Sequence, residues 1–555
     1  MAIQWINNLS ASINQSSPGL SAPNELEISV NNSQAQLANW SHRNGADLFL
    51  DSISASGSVK GLHMYQKDTG VNYLHMVHNG NLYINGVTTW ASQDLNDWDT
   101  ASTINMTNHI NRHYMASSTS GERLKYATET GAVTTVTPWT AIASSSSTAS
   151  TLITTTDVFT VNMIGFTIYN VTDSTNTTII GYTSPTTVTT GTAINDTWDS
   201  DTLAIYLDPK YLAASGAYMM MDGGTTFPRR AYITEPESDT IKLGSKYFVS
   251  NLPITGIESF GNGRNFIIFS RDGYIVADPQ SFYNTPVDGY GCISHRSIKI
   301  VKNNLIYLGV DTFNALPLNA SYPTDIAKKI KNDKTADALF NKIDWSVAST
   351  FASGRKGDLY WCAVQNLSAT VKGQTINNAI FIIDTSQNSW RVDTYATGEL
   401  ASIMAEFTNS SGVTDLYAGS LSNGTVYKLD TPGLYSDDNR SGTPVAVTGM
   451  IRGSFLKMQN RRTAEPLLKK IHKIYLEYTS ASPITVKYSI NGSSTYTTLA
   501  ETFPAYSTNL WTTNFFNFGI ECFSISLQFE CAGDYVIYAY GLDIDFNKGE
   551  GIKGL

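Results

Sequence analysis

The chain has 555 residues, of which 41% are hydrophobic and only 15% charged, and its formal net charge is -10. That length calls for about two to four domains with cores of their own, so metal or disulfide staples are not needed. The negative balance excludes a protein that grips nucleic acid by its phosphates, which takes clustered Lys and Arg, though not one past which DNA merely slides.

The opening run MAIQWINNLSASINQ has neither a basic nor an apolar leader segment, so no signal peptide is expected. No apolar run reaches the roughly 18 residues of a membrane span. Residues 1–50 are polar and interrupted by Pro18, Pro23 and Gly45, which reads as an extended N-terminal arm that docks elsewhere or on the body of the protein. With 30 Tyr, 10 Trp and a surplus of Ser, Thr and Asn, the chain as a whole favours strands.

From about residue 59 a phrase recurs: a short apolar strand, a turn of Gly, Asn or Asp, and a second short strand. It occurs from Asn72 (NYLHMVHNGNLYING), Glu122 (ERLKYATETGAVTTV), Asn265 (NFIIFSRDGYIVAD), Asn304 (NLIYLGVDTFNALPL), Asp358 (DLYWCAV, then AIFIIDTSQNSW) and Asp415 (DLYAGSLSNGTVYKLD). Alternating apolar and polar residues mark half-buried antiparallel strands. Gly80, Gly131, Gly273 and Gly424 are placed to supply positive φ at the turns. Hairpins repeated far apart along a chain are economically explained by the blades of a β-propeller, about six here, because radial closure leaves no long exposed edge.

The repeat is interrupted. No Lys or Arg lies between Lys125 and Lys210, and residues 143–207 are rich in Ser and Thr. Val158, Phe159, Val161, Met163, Ile164, Phe166, Ile168, Ile179 and Ile180 nevertheless recur in ordered phrases, which predicts a small inserted β domain rather than a linker. Helix is scarce. The best candidate is PTDIAKKIKNDKTADALFNKID from Pro323, with Ala336, Leu339, Phe340 and Ile343 on one stripe and Thr324 or Asp325 as the cap. Beyond Pro432 a polar linker leads into seven strand-like phrases, which read as an antiparallel sandwich. The expected organisation is all-β: an arm at 1–50, a propeller over 51–142 and 208–432, the insert at 143–207, and a C-terminal β-sandwich at 440–555.

Chemistry-bearing residues are sparse. Cys522 and Cys531 bound CFSISLQFEC, which reads as a single strand whose ends lie about 30 Å apart, too far for a disulfide; Cys292, Cys362 and these two are expected as free buried thiols in a reducing cytosol. His63, His75 and His78 fall in one hairpin region. Three residues apart on a strand, His75 and His78 face opposite sides and read as surface positions rather than as a metal pair. The lone glycine pair Gly261 and Gly263 lacks the following helix of a dinucleotide fingerprint. Asp384-TSQNSW is similar to the structural Asp-containing turns of sialidase-like propellers, and no carboxylate pair of a glycosidase can be singled out. Asp272, Asp278 and Asp311 sit at turns. No catalytic residue, cofactor site or metal site is therefore expected. Two basic stretches remain as candidate subunit or ring contacts: Lys328, Lys329 and Lys331 on the helix, and Arg452, Arg461, Arg462, Lys469 and Lys470 at the entry to the C-terminal domain.

The central segment carries a resemblance. LPITGIESFGNGRNFIIFSRDGYIV from Leu252 is followed by GCISHRSIKIVKNNLIYLGVDTFNAL from Gly291, then DIAKKIKN and RKGDLYWCAV. This order resembles the tail nozzle and stabilisation proteins of short-tailed bacteriophages, the tail-tubular-protein-B-like and packaged-DNA-stabilisation groups. The matching positions are Pro253, Ile254, Thr255, Gly256, Gly291, Ser294, Arg296 and Ser297; at Asp311-Thr-Phe313 the chain departs from the turn glycine often found there. The resemblance covers roughly 225–430. It implies a non-enzymatic virion protein of the tail, assembled in the host cytoplasm as a homo-oligomeric ring, usually a hexamer. Its partners would be the adaptor or head-to-tail connector, fibre or spike proteins, and viral DNA passing through the lumen without sequence recognition. The alternative is a glycan-binding or glycan-cleaving propeller protein of a phage tail or surface.

Overall fold

The computed structural model describes residues 2–6, 26–30, 32–35, 39–50, 53–86, 89–129, 133–192, 198–261, 265–318, 320–327, 339–371, 374–385, 389–394, 401–432, 434, 436–438, 444–453, 456–460, 466–493, 495–506, 512–545 and 550–553. The protein is all-β, built largely from four-stranded antiparallel sheets. Its only described helical segments are short 3-10 turns such as Val161–Met163 and Trp345–Thr350. The chain divides into two compact units, one of 55–324 with 405–414, the other of 1–54, 325–404 and 415–555.

In the 55–324 unit five four-stranded sheets succeed one another, each with its strands in chain order. The first holds Val59–Gln66, Asn72–His78, Asn81–Asn85 and Trp90–Asp94. The second holds Ile104–His109, Arg112–Ser117, Lys125–Ala127 and Thr134–Thr135. The third runs from Leu212–Ser215 to Tyr247–Val249, the fourth from Ile254–Phe260 to Asn284–Asp288, and the fifth from Lys299–Val301 to Thr324–Asp325. Their first strands are neighbours: Val59–Gln66 packs beside Ile104–His109, that strand beside Leu212–Ser215, and that one beside Ile254–Phe260. The second strands are buried almost throughout, as in Asn265–Ser270, and the fourth strands face out, as in Asn284–Asp288. Apolar faces of successive sheets meet in clusters such as that of Met220, Ile257, Phe266 and Ile268.

Between the second and third sheets a six-stranded antiparallel sheet spans Trp139–Ile142 to Thr202–Ile205. Phe159, Phe166, Ile168, Ile179 and Val188 form its core together with Trp198, so the Ser/Thr-rich segment is ordered sheet. Ile180, read as one of the apolar positions, is 57% exposed because it alternates with the buried Ile179.

In the other unit, Ala352–Lys356, Leu359–Val371, Gln374–Asp384 and Ser389–Thr394 form an antiparallel run. The seven C-terminal phrases fall on strands from Thr448–Gly453 to Tyr535–Ile544, one of them, CFSISLQFEC, divided between two strands. They form two sheets around Ile471, Leu476, Val486, Phe516, Leu527 and Leu542. Strands of the N-terminal segment join three sheets: Ala2–Ile6 and Leu26–Val30 pair with Tyr535–Ile544 and Thr448–Gly453 of the two C-terminal sheets, and Gly45–Leu48 pairs with Val426–Thr431 in a separate four-stranded sheet. Among its described residues backbone pairing ties the arm to the chain's own strands, the second of the two readings.

Local expectations need correction. CFSISLQFEC is not one strand: Cys522 ends Thr512–Cys522, and Cys531 belongs to Ser524–Ala532 in the other sheet; all four cysteines are buried and free. Of the turn glycines, Gly80 has φ +75, while Gly273 and Gly424 do not take positive φ and Gly131 lies outside the described residues. At Gly273 the need is for space, since a Cβ there would stand 2.5 Å from the Val287 carbonyl oxygen. Most of the expected helix, residues 328–338, lies outside the described residues. At its flanks Thr324–Asp325 is strand and Leu339–Lys342 a 3-10 turn, so the proposed capping pair belongs to a sheet edge.

Candidate functional site

Lys328, Lys329, Lys331, Arg461 and Arg462 lie outside the described residues. Lys470 is exposed and alternates along its strand with Lys469, which is only 7% exposed and so is corrected from a surface contact to an inward-facing residue. Arg452 is a second correction. It is 1% exposed, its Nε donates to Gln528 Oε1 at 2.7 Å, and its guanidinium sits 3.9 Å from the centre of the Tyr496 ring. Sequence proximity to other basic residues hid the fact that Arg452 pairs across the sheet with Gln528, on the inner face.

The largest departure concerns the histidines. His75 and His78 are fully buried rather than exposed, and so is His113. His63 and His75 stand directly opposite each other on the first two strands of the first sheet. That places their Cβ atoms within about 5.5 Å. His113 comes from the second strand of the second sheet. The close approach of the two sheets depends on Gly61, where a Cβ would lie 3.1 Å from Ile104 Cβ and 2.4 Å from Met106 Cε. The result is a chain of three imidazoles: His63 Nδ1 is 2.9 Å from His113 Nε2, and His113 Nδ1 is 2.7 Å from His75 Nδ1. Tyr65 covers two of the rings, at 5.3 Å from His75 and 5.7 Å from His113, and its hydroxyl donates to the Asn111 carbonyl at 2.9 Å. His75 Nε2 has no hydrogen-bond partner.

Burial disfavours the imidazolium in all three. It pushes His63 down to about 4, with the Lys299 charge adding to the effect, and His75 down to about 3, with His63 adding. His113 is also lowered by burial and by its two histidine neighbours. The chain is not arranged as a metal centre, because His113 meets its neighbours through different nitrogens; among the described residues no group of three His, Cys, Asp or Glu side chains is placed to hold a metal ion. Its separations are those of hydrogen bonds. The signal that sequence reasoning could have used was the spacing of His63 and His75 around one hairpin; nothing local pointed to His113.

Thr255, Gly256, Gly291, Ser294 and Ser297 meet at a single joint. Thr255 Oγ1 donates to the Cys292 carbonyl at 2.6 Å, and Cys292 N donates to the Ser270 carbonyl at 3.0 Å. Ser297 Oγ donates to the Ser294 carbonyl at 2.6 Å and accepts from Leu308 N at 3.0 Å. A Cβ on Gly256 would stand 2.8 Å from Ile298 Cδ1, and one on Gly291 would stand 1.8 Å from the Arg271 carbonyl oxygen. The turn 291–297 thus ties the fourth sheet to the fifth. Asp278, read as a turn residue, accepts from Gln280 N at 2.8 Å and from Ser281 Oγ at 2.6 Å. Trp390, at the Asp384 turn, donates through Nε1 to the Ile326 carbonyl at 3.0 Å. Both do structural work.

In the other unit several buried polar groups are charged. Arg43 reaches Asp437 through two nitrogens, at 2.9 and 2.5 Å, and also donates to the Thr394 carbonyl at 3.0 Å. Asp437 Oδ1 accepts from Ala46 N at 2.9 Å. Asp393, in the same neighbourhood, is fully buried with neither carboxylate oxygen hydrogen-bonded, and Arg391 Nε is 3.7 Å away. Burial pushes its carboxyl up to about 6, against the opposing pull of Arg391 and Arg43. Among the described residues no helix is long and apolar enough to cross a membrane.

No family model matches this chain, and no curated protein matches it. Among solved structures it is similar to the computationally designed Ika8 protein, at 9% identity and a TM-score of 0.35, over 70% of this chain and 100% of that one. It is also similar to the extracellular domain of the hybrid two-component system protein BT4673 of B. thetaiotaomicron, at 8% identity and a TM-score of 0.37, over 80% of this chain and 45% of that one.

Proposed function

We propose that this chain is a structural virion protein: the subunit of a tail nozzle ring that forms part of the DNA-ejection conduit below portal and adaptor and carries fibres or spikes. In this reading the four-stranded sheets are the blades of a propeller of about six blades, 139–205 is the inserted domain, and the C-terminal strands form a sandwich. The supporting observation is the joint at 291–297. Thr255, Gly256, Gly291, Ser294 and Ser297, read from sequence as a family-like order, lock successive sheets together through hydrogen bonds and a backbone approach that only glycine allows. Residues spent on scaffold geometry fit a protein whose task is to hold a shape under load. The low charge suits a conduit wall that neither grips nor strongly repels phosphate.

The test is assembly. Light scattering coupled to size exclusion, followed by negative-stain imaging, should show closed rings of the purified chain, and labelled antibody should decorate the tails of virions. A chain that stays monomeric at high concentration and is absent from particles removes the reading. Closed rings are expected because heterologous contacts between identical subunits terminate only on closure.

A further inference from the structure

We propose that the His63–His113–His75 chain is an acid-released latch between the first and second sheets of the 55–324 unit. Two rings belong to the first sheet and one to the second, so both of its nitrogen–nitrogen bonds bear on one joint, and the bond from His113 to each neighbour crosses between sheets.

Proton counting gives the latch its property. Three neutral imidazoles carry three N–H groups. Two are used in the two bonds, and the third sits at one end, on Nε2 of His63 or of His75. A donor on His75 Nε2 would be buried without an acceptor, so the favoured arrangement has His75 Nδ1 donating to His113 Nδ1, His113 Nε2 donating to His63 Nδ1, and the end proton on the less buried His63. One added proton keeps both bonds but places a charge in the core and a donor on His75 Nε2. A second must enter a bond that already holds one, so two N–H groups face each other and that bond is lost.

The surroundings compensate little: a hydrogen bond between His63 and the Met64 backbone favours the charged ring, but burial and the Lys299 charge outweigh it. On the first sheet Tyr65 lies over the rings and Tyr73 over Tyr65, while His78 lies on the opposite face of its strand from His75, and Lys60 sits at the irregularity between Val59 and Gly61. Lys67 is ion-paired with Glu129 of the second sheet, and Arg112 with Asp239. The charges of Glu129, Lys67 and Asp68 act on Tyr65. The one charge acting directly on the chain is Lys299, which has the same sign as an imidazolium. Because His63 and His75 titrate below their unfolded value of about 6.5, their contribution to stability is complete above that pH and is lost as pH falls towards about 4 and then about 3.

Hydrogen exchange of the full chain, corrected for intrinsic rates, tests this. Between pH 7.5 and pH 4.5 the amides of 59–66, 72–78 and 112–117 are expected to lose at least tenfold protection, while those of 484–490 and 524–532, strands that carry no histidine, keep theirs. In the triple variant His63→Gln, His75→Gln, His113→Gln, which can still hydrogen-bond but does not titrate at this site, protection at pH 4.5 is expected to stay within threefold of that variant's own value at pH 7.5. No selective loss in the native chain, or the same loss in the triple variant, overturns the proposal. Selective 15N-histidine spectra of the native chain decide the matter independently of how the variant folds: the three rings are expected to be neutral at pH 6, and ordinary titration near 6.5 overturns the latch.

Discussion

The two compact units are made of the same antiparallel strands but bury opposite kinds of polar group. The 55–324 unit buries imidazoles that must remain neutral, whereas the other unit buries an arginine and aspartates. The difference shows that burial alone does not set the response to acid. A buried histidine weakens the fold as pH falls, because the unfolded chain takes up protons that the folded one refuses. A buried carboxylate that is raised, such as Asp393, does the reverse: its cost is absent at low pH, grows as pH rises from about 4 towards about 6, and is full above that. Asp222 gives the first unit a counterweight of this second kind. It too is pushed up to about 6 by burial, but the amides of Lys210, Tyr211 and Gly224 favour its ionised form.

The contrast can be broken most forcefully at Arg43. Replacing it with Ala leaves Asp437 buried without its two-nitrogen partner and should cost ~3–5 kcal/mol. Denaturant unfolding followed by hydrogen exchange should place that loss in the strands of 352–394 and 426–431, with the 55–249 sheets unaffected. A loss spread evenly over the chain would show that the units do not respond separately.

Gly291→Ala tests the scaffold of the first unit without touching a titratable group. A Cβ 1.8 Å from a carbonyl oxygen forces the backbone to move, so a loss of ~2–3 kcal/mol is expected, independent of pH between 4 and 8. A loss that vanishes in acid would mean that the joint and the histidine chain are coupled.

The smallest effect is expected at Asp393→Asn, which keeps the shape and removes the carboxylate. Above pH 7 the variant should be more stable than the native chain by ~1–2 kcal/mol, with the difference disappearing near pH 4. Thermal unfolding across that range reads it directly, and a destabilised variant at pH 7.5 would show that the ionised carboxylate is needed.

Most of the strands could be read from the sequence. The hairpins from Asn72, Asn265, Asn304 and Asp415, and the seven C-terminal phrases, are encoded by side-chain alternation and turn residues, which act over a few neighbours. The ordered insert was readable for the same reason: Phe166, Ile168 and Val188 recur at strand spacing through the Ser and Thr. The site was not. His63 and His113 are 50 residues apart, and what brings them together is the missing side chain at Gly61, an effect visible only with both sheets in place.

What the sequence determined by itself, then, is the all-β character and the position of several hairpins, because strand and turn preferences are local; the hairpins of Ile104–His109 with Arg112–Ser117 and of Leu212–Ser215 with Tyr218–Gly223 are not among them. What only the tertiary structure decided is which polar residues go inside. Arg452 and Lys469 look like members of a basic surface run, and His75 and His78 like alternating surface histidines, yet all four are buried, because burial depends on which face of a strand meets the next layer. That meeting is set by residues tens to hundreds of positions away, such as Asp437 for Arg43, and no local pattern records it.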